Sequence, residues 1–393
     1  MSVVEGGHQL DTGSRYSLAP AVAVISLSLA MQATVSRAAP RLPDTPGSVA
    51  AQPPPVFLTK WGTNGTAEGQ FDLPRGVAVD ADGNVYVSDT LNYRVQKFEG
   101  DGGFLLMWGY GVKTGACDLE VCTSGCQKGI GGTGDGQLFG PFHLAVDAAG
   151  NVYVADEHMD RVQKFDRYGA FLLDFGTGGT TGGQFSAPRG VAVDSSGNVY
   201  VGDQVNERVA RHNSNGVFLS TWGWGVFNGT AEYQLCFPPF TCQAGIQGSG
   251  DGQFFRPRGV AVDAAGNIYV ADTENDRVQK FSGSNAVFQG VIGGFGYGEG
   301  EFTQPSDVAV DASGYLYVAD GGWIQKFDPS GTFLVRWGKV GPGTGDGEFN
   351  GATGVAVDDH GNIYVADSNN HRIQKFGPAL EVFVGEESPQ PAR

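Results

Sequence analysis

Short apolar runs separated by turns rich in glycine, aspartate and asparagine recur along most of this chain. In Gly76–Phe98, the apolar Val77-Ala78-Val79 is followed by the polar Asp80-Ala81-Asp82-Gly83-Asn84 and then by Val85-Tyr86-Val87. Arg94–Phe98 alternates polar and apolar, and Phe104–Trp108 follows a Gly102-Gly103 turn. β-Branched and aromatic runs bounded by such turns predict strands, with Gly83 free to take positive φ. The same unit returns with its first motif closing at Asp80, Asp147, Asp194, Asp263, Asp311 and Asp358. Its basic spacing of about 47 residues is that of one four-stranded propeller blade. Two spacings are longer by about 20 residues, which places loop inserts at 110–136 and 224–252 in an otherwise regular array.

None of these strands can bury its apolar face alone, so neighbouring units must stack. Six units predict an all-β fold, a six-bladed β-propeller of four-stranded antiparallel blades. The outer-strand signature appears before the first unit, Phe57–Gly62, and again after the last, Leu380–Gly385. This predicts a ring closed by a shared terminal blade, which removes the open sheet edge; either end can supply the outermost strand. Pro-Arg-Gly-Val-Ala-Val-Asp at 74–80, 188–194 and 257–263, with Gly-Asn-Val/Ile-Tyr-Val and Arg-Val/Ile-Gln-Lys-Phe endings, resembles the NHL-repeat family of six-bladed propellers. The resemblance covers residues 56–385 and implies the fold; a propeller scaffold carries many unrelated functions.

The formal net charge of −17 excludes a general affinity for nucleic acid, and no Lys/Arg cluster offers the basic face that RNA-binding relatives are said to use. Residues 1–38 read as a signal peptide, with an apolar run at Leu18–Met31 and small residues Ser36 and Ala38 before the cleavage point. Residues 39–55 read as a Pro-rich disordered linker and 386–393 as a disordered tail without an anchor. A secreted or extracytoplasmic protein with no stable membrane anchor is the expectation. Aligning the two inserts sets Cys122 level with Cys236 and Cys126 level with Cys242. This favours local disulfides Cys122–Cys126 and Cys236–Cys242 with Cys117 free, in keeping with export; a zinc site is the rival, weakened by the lack of a nearby His.

Strand counting puts both inserts and the Tyr-Val-x-Asp loops on one face, and the Asp-x-x-Gly-Asn turns on the other. On the insert face, the residue before the first-strand glycine position lies at the mouth of the central channel and reads Arg75, Phe142, Arg189, Arg258, Ser306 and Thr353. The next position is glycine except at His143 and Asp307, which should project side chains into the channel. Three arginines beside this pair suit a carboxylate or phosphate, since guanidinium forks make paired hydrogen bonds to oxyanions. The shortened loop Asp320-Gly-Gly-Trp323 should leave Trp323 near the same rim as a stacking surface or plug. The Asp of each Tyr-Val-x-Asp has an arginine five residues on in five blades, which reads as a structural brace. The acids before the Gly-Gln/Glu-Phe turns, Glu68, Asp135, Asp251, Glu299 and Asp346, read as a solvated rim.

The resulting expectation is a binding or scaffold module recognising a peptide, protein or glycan on the insert face, with no catalytic residues, no cofactor and no metal site assigned. The alternative is a channel-centred, metal-dependent hydrolase or lyase, gluconolactonase-like or amidating-lyase-like. Such a site needs His or acidic ligands converging on the axis, and the six histidines fall in unrelated columns.

Overall fold

The computed structural model describes residues 52–339 and 341–379; the leader, most of the linker, Leu380–Gly385 and the tail lie outside them. Six antiparallel sheets follow one another along the chain. Blade 1 runs Pro74–Val79, Val85–Asp89, Arg94–Phe98 and Phe104–Tyr110 from the axis outward. Blades 2 to 6 repeat that order, starting at Pro141, Pro188, Pro257, Asp307 and Ala352. The shared blade is blade 6. Val56–Trp61, from the N-terminal side, pairs antiparallel with Arg372–Gly377 as its outermost strand. The Trp61 ring then bridges the seam, 5.9 Å from Phe98 of blade 1 and 6.4 Å from Tyr364 of blade 6.

The core lies between blades. Along a strand, successive side chains point to opposite faces of the sheet, and here each face packs on a different neighbour. Val85 and Val87 pack with Tyr364, Ala366 and Ile373 of blade 6, whereas Tyr86 joins Leu144, Val152 and Val154 of blade 2. Each second strand is therefore buried on both faces, which explains its apolar Val/Ile/Leu-Tyr-Val run. Six such clusters close the circle. At the axis the first strands approach so closely that glycine is required: a Cβ on Gly190 would stand 1.9 Å from the Arg258 carbonyl oxygen, and one on Gly354 2.4 Å from that of Arg75.

Four-stranded blades are not the whole architecture. Each insert adds a fifth strand, Leu119–Cys122 to blade 1 and Tyr233–Cys236 to blade 3. The disulfides Cys122–Cys126 and Cys236–Cys242 fasten the ends of those strands, and Cys117 is free and exposed. No helix among the described residues is long and apolar enough to cross a membrane.

The Asp–Arg braces form in five blades. Asp89–Arg94, Asp203–Arg208, Asp272–Arg277 and Asp367–Arg372 lie at 2.7–2.8 Å, and Asp156–Arg161 at 3.6 Å. Each arginine also donates to carbonyls of the loop that enters its blade; Arg94 binds those of Thr66, Ala67 and Gln70. In blade 5, which lacks the arginine, Asp320 accepts from the Thr303 backbone N–H at 3.0 Å, and burial raises its carboxyl to about 6. The opposite-face turns consume their own acids: Asp80 accepts from the Asp82 and Asn84 N–H groups and from the Tyr86 hydroxyl. That is a hairpin turn, with its carboxylate spent on the backbone.

Candidate functional site

Every first strand begins on the insert face, so the residue ahead of its glycine position meets its five equivalents around the channel mouth. Blades 1 to 4 contribute large side chains there and blades 5 and 6 small ones. The Phe142 ring has the Arg75 guanidinium 4.8 Å from its centroid and the Arg189 guanidinium at 4.6 Å. Such cation–π contacts hold both arginines along the ring. Arg189 spends Nε and Nη2 on Glu157 Oε1, at 2.8 and 2.5 Å. The Nε atoms of Arg75 and Arg258 are buried with no hydrogen-bond partner among the described residues. Burial lowers the pKa of Arg75, with the Arg189 charge adding to it and Glu157 opposing. Burial and then Arg189 bring Arg258 down to about 10, against Glu274. Arg258 thus remains a cation at neutral pH, beside Arg75 and Arg189.

On the other side of the mouth the hydroxyls are turned into the backbone. Ser306 donates to carbonyls of Ala319, Ala352 or Thr353, and Thr353 to that of Arg75. Neither fills the opening.

Below the mouth, His143 of blade 2 and Asp307 of blade 5 reach each other across the ring, Nδ1 to Oδ1 at 3.2 Å. His143 Nε2 lies 3.1 Å from the Thr353 carbonyl oxygen, and the Val355 N–H donates to Asp307 Oδ2 at 3.0 Å. A carbonyl only accepts, so Nε2 carries the imidazole proton and Nδ1 is left as an acceptor. Nδ1 itself has no hydrogen-bond partner among the described residues, Asp307 Oδ1 standing beside it without hydrogen-bond geometry. Burial favours the neutral form of each group, raising the Asp307 carboxyl to about 8 and lowering the His143 imidazole to about 3. The two side chains meet as a neutral bar across the channel and floor the cup formed by the mouth above.

The structure thus brings together Arg75, His143, Arg189, Arg258 and Asp307 with Phe142. Trp323 is not among them. It opens the third strand of blade 5, two strands out from the axis, under the Arg336 guanidinium at 4.6 Å. The shortened loop moves Trp323 along its own strand, and strand position fixes its distance from the channel. The rim acids do not converge either: Glu68 accepts from the Cys126 N–H, and Asp346 pairs with Lys60 at 2.5 Å. Among the described residues, no group of three or more His, Cys, Asp or Glu side chains is placed to hold a metal ion. An open recess lined by Lys60, Trp61, Asn64, Asn369 and His371 lies at the ring-closing seam, with Asn64 Nδ2 3.0 Å from His371 Nδ1.

One surface escaped the sequence reading. The two inserts share a scaffold: Gln127 and Gln243 accept from Arg94 and Arg208 at 2.9 and 2.8 Å, and donate back to Gly111 and Gly225. They diverge most in the tips inside the disulfides, and also outside them, where Phe227 stands in place of Lys113. The first is Thr123-Ser124-Gly125; the second is Phe237-Pro238-Pro239-Phe240-Thr241. Phe237 and Phe240 are 45% and 50% exposed, and Phe227, at 40%, completes a cluster with ring centroids 5.0 and 5.6 Å apart. The Cys-x-x-x-x-x-Cys tip with two phenylalanines was the signal available.

Comparison with known proteins bears on the family. The sequence model for the NHL repeat matches residues 71–98 and 349–376, and that for the Teneurin NHL domain matches residues 112–297. The chain is 32% identical over 124 residues to the Drosophila melanogaster protein brain tumor, a match covering 31% of this chain and 10% of that protein. Among solved structures, a protein of unknown function from Bacteroides thetaiotaomicron superposes with TM-score 0.55 at 17% identity, covering 82% of this chain and 76% of its own. A gluconolactonase from Xanthomonas campestris gives TM-score 0.48 at 14% identity, over 84% of this chain and 99% of that one. Similarity at these identities concerns the fold alone.

Proposed function

Since the chain belongs to the NHL-repeat family and folds as a six-bladed propeller, we propose that it is an exported binding module that holds a protein partner on its insert-bearing face. The observation that carries this reading is the contrast between the two inserts. The same hydrogen-bonded scaffold is completed in blade 1 with a polar tip, so the exposed phenylalanines of the blade 3 tip are not required to build it. Exposed aromatic residues held rigidly are strong anchors in interfaces, because they bury much area at little entropic cost. A disulfide across the tip limits its freedom before binding and so reduces what association must order. Export is supported by the leader-like N-terminus and by two disulfides, which persist in oxidising compartments.

The double variant Phe237→Ser, Phe240→Ser tests the reading. Both side chains are half exposed, so unfolding free energy should change by no more than about 0.5 kcal/mol. Capture of the partner from the medium of the source cells should fall about tenfold or more, as for loss of an aromatic anchor. Equal capture by wild type and variant would overturn the assignment of the tip.

A further inference from the structure

The channel mouth holds cationic donors that the fold leaves unused. Three guanidiniums converge there against two carboxylates, Glu157 and Glu274. Glu157 takes two donors from Arg189, and Glu274 accepts from the Gln304 side chain at 3.2 Å while acting on Arg258 through its charge alone. Arg75 and Arg258 keep a buried Nε without a partner among the described residues, and folds rarely leave a buried donor unmet. A fold that needed only charge at this rim could place it in solvent. Here Phe142 holds two of the arginines, Ser306 and Thr353 leave the opposite side open, and the His143–Asp307 bar closes the bottom.

We propose that this cup is a binding site for a single oxyanion group, a carboxylate in the first instance, gripped by the free forks of Arg75 and Arg258. It deepens the assignment of recognition to the insert face, because the cup opens on that face. The chemistry follows from the donors. Each guanidinium presents parallel N–H groups that match a two-oxygen acceptor, and such charge-assisted bonds are about twice as strong as neutral ones. The neutral floor adds no negative charge beneath the ligand, whereas an ionised Asp307 would repel it. The floor also limits depth to one anionic group. A polyanion is disfavoured by the chain's formal net charge of −17. A free carboxylate or a partner's acidic side chain presents the same group, and an inorganic phosphate is the smallest alternative.

Succinate, inorganic phosphate and a peptide with a free or an amidated C-terminus, titrated calorimetrically into the full chain at low ionic strength, test the proposal. Succinate and the free-carboxylate peptide should bind, more weakly as salt rises, and the amidated peptide should not. Phosphate binding alone, without either carboxylate, would overturn the preference for a carboxylate. Arg258→Gln and Arg75→Gln should each weaken succinate about tenfold or more, the loss of a charge-assisted hydrogen bond of at least about 1.5 kcal/mol. Circular dichroism and denaturation establish that these variants fold; Arg258→Lys serves if glutamine does not, keeping charge but losing the fork. Absence of succinate binding at millimolar concentration, or equal affinity in all variants, would overturn the site. The tip variant Phe237→Ser, Phe240→Ser should bind succinate like wild type. Intact succinate binding with unchanged partner capture would therefore sink the tip assignment and leave the cup standing.

Discussion

Replacing Arg208 with alanine should destabilise the propeller by about 3–5 kcal/mol, among the largest effects of any single substitution in the ring. Arg208 and Asp203 are wholly buried, 2.8 Å apart. The guanidinium also donates to the carbonyls of Thr180, Thr181, Gln184 and Gln243. Alanine would leave a carboxylate and four carbonyl oxygens without that donor set, and would release the second insert at Gln243. The pair itself is not a large net source of stability. Burial raises the Asp203 carboxyl to about 6 even though the Arg208 charge acts to lower it, so desolvation outweighs attraction, as buried ion pairs often show. The double variant Arg208→Met, Asp203→Asn should consequently lose less than Arg208→Ala alone. Urea denaturation of the three proteins checks both statements. A loss under about 1 kcal/mol for Arg208→Ala would mean that the loop does not depend on its brace.

Asp307 gives the second large effect, one that separates hydrogen bonding from charge. Asp307→Ala should cost about 1–3 kcal/mol, leaving the buried Val355 N–H without its partner. Asp307→Asn should be nearly neutral at pH 5, because an amide accepts from the Val355 N–H as the protonated acid does and is likewise uncharged. The sign of the pH dependence follows from the raised carboxyl. A group whose folded pKa exceeds its unfolded value contributes stability at low pH and loses it as pH rises through the folded value, here about 8. The wild type should therefore lose stability relative to Asp307→Asn between pH 5 and pH 9, by at least the worth of one pKa unit, about 1.4 kcal/mol. His143 and His212 act in the opposite window. Burial depresses each imidazole to about 3, so each withdraws stability as pH falls below about 6.5. Parallel stability curves for wild type and Asp307→Asn would contradict the neutral bar.

Much of this was legible in the chain because the repeat converts sequence position into ring position. The Asp–Arg brace could be read from a five-residue spacing, since the hairpin places those two residues opposite each other, as Asp89 and Arg94 are paired. His143 and Asp307 stood out by replacing a glycine whose Cβ the neighbouring strand forbids. Their partnership did not, because it joins blades 2 and 5 across the axis and no local spacing encodes it. The same holds for the closing strand: both ends of the chain carry an outer-strand pattern, and only pairing with Arg372–Gly377 selects Val56–Trp61. The fifth strands were hidden because Leu119–Cys122 and Tyr233–Cys236 are short and rely on the sheet edge they join. Trp323 was placed by loop length when strand order governed its distance from the axis.

Recognition is proposed to be confined to the face that carries the inserts and the arginine cup, the closing Asp of each opposite-face turn being committed to its own hairpin. Hydrogen–deuterium exchange of the captured complex against the free protein tests this most directly. Slowed exchange is expected in 110–136 and 224–252 and at the channel-mouth segments 74–77, 188–191 and 257–260. Protection centred on the turns 80–84, 147–151, 194–198 and 263–267, with the inserts unchanged, would contradict it.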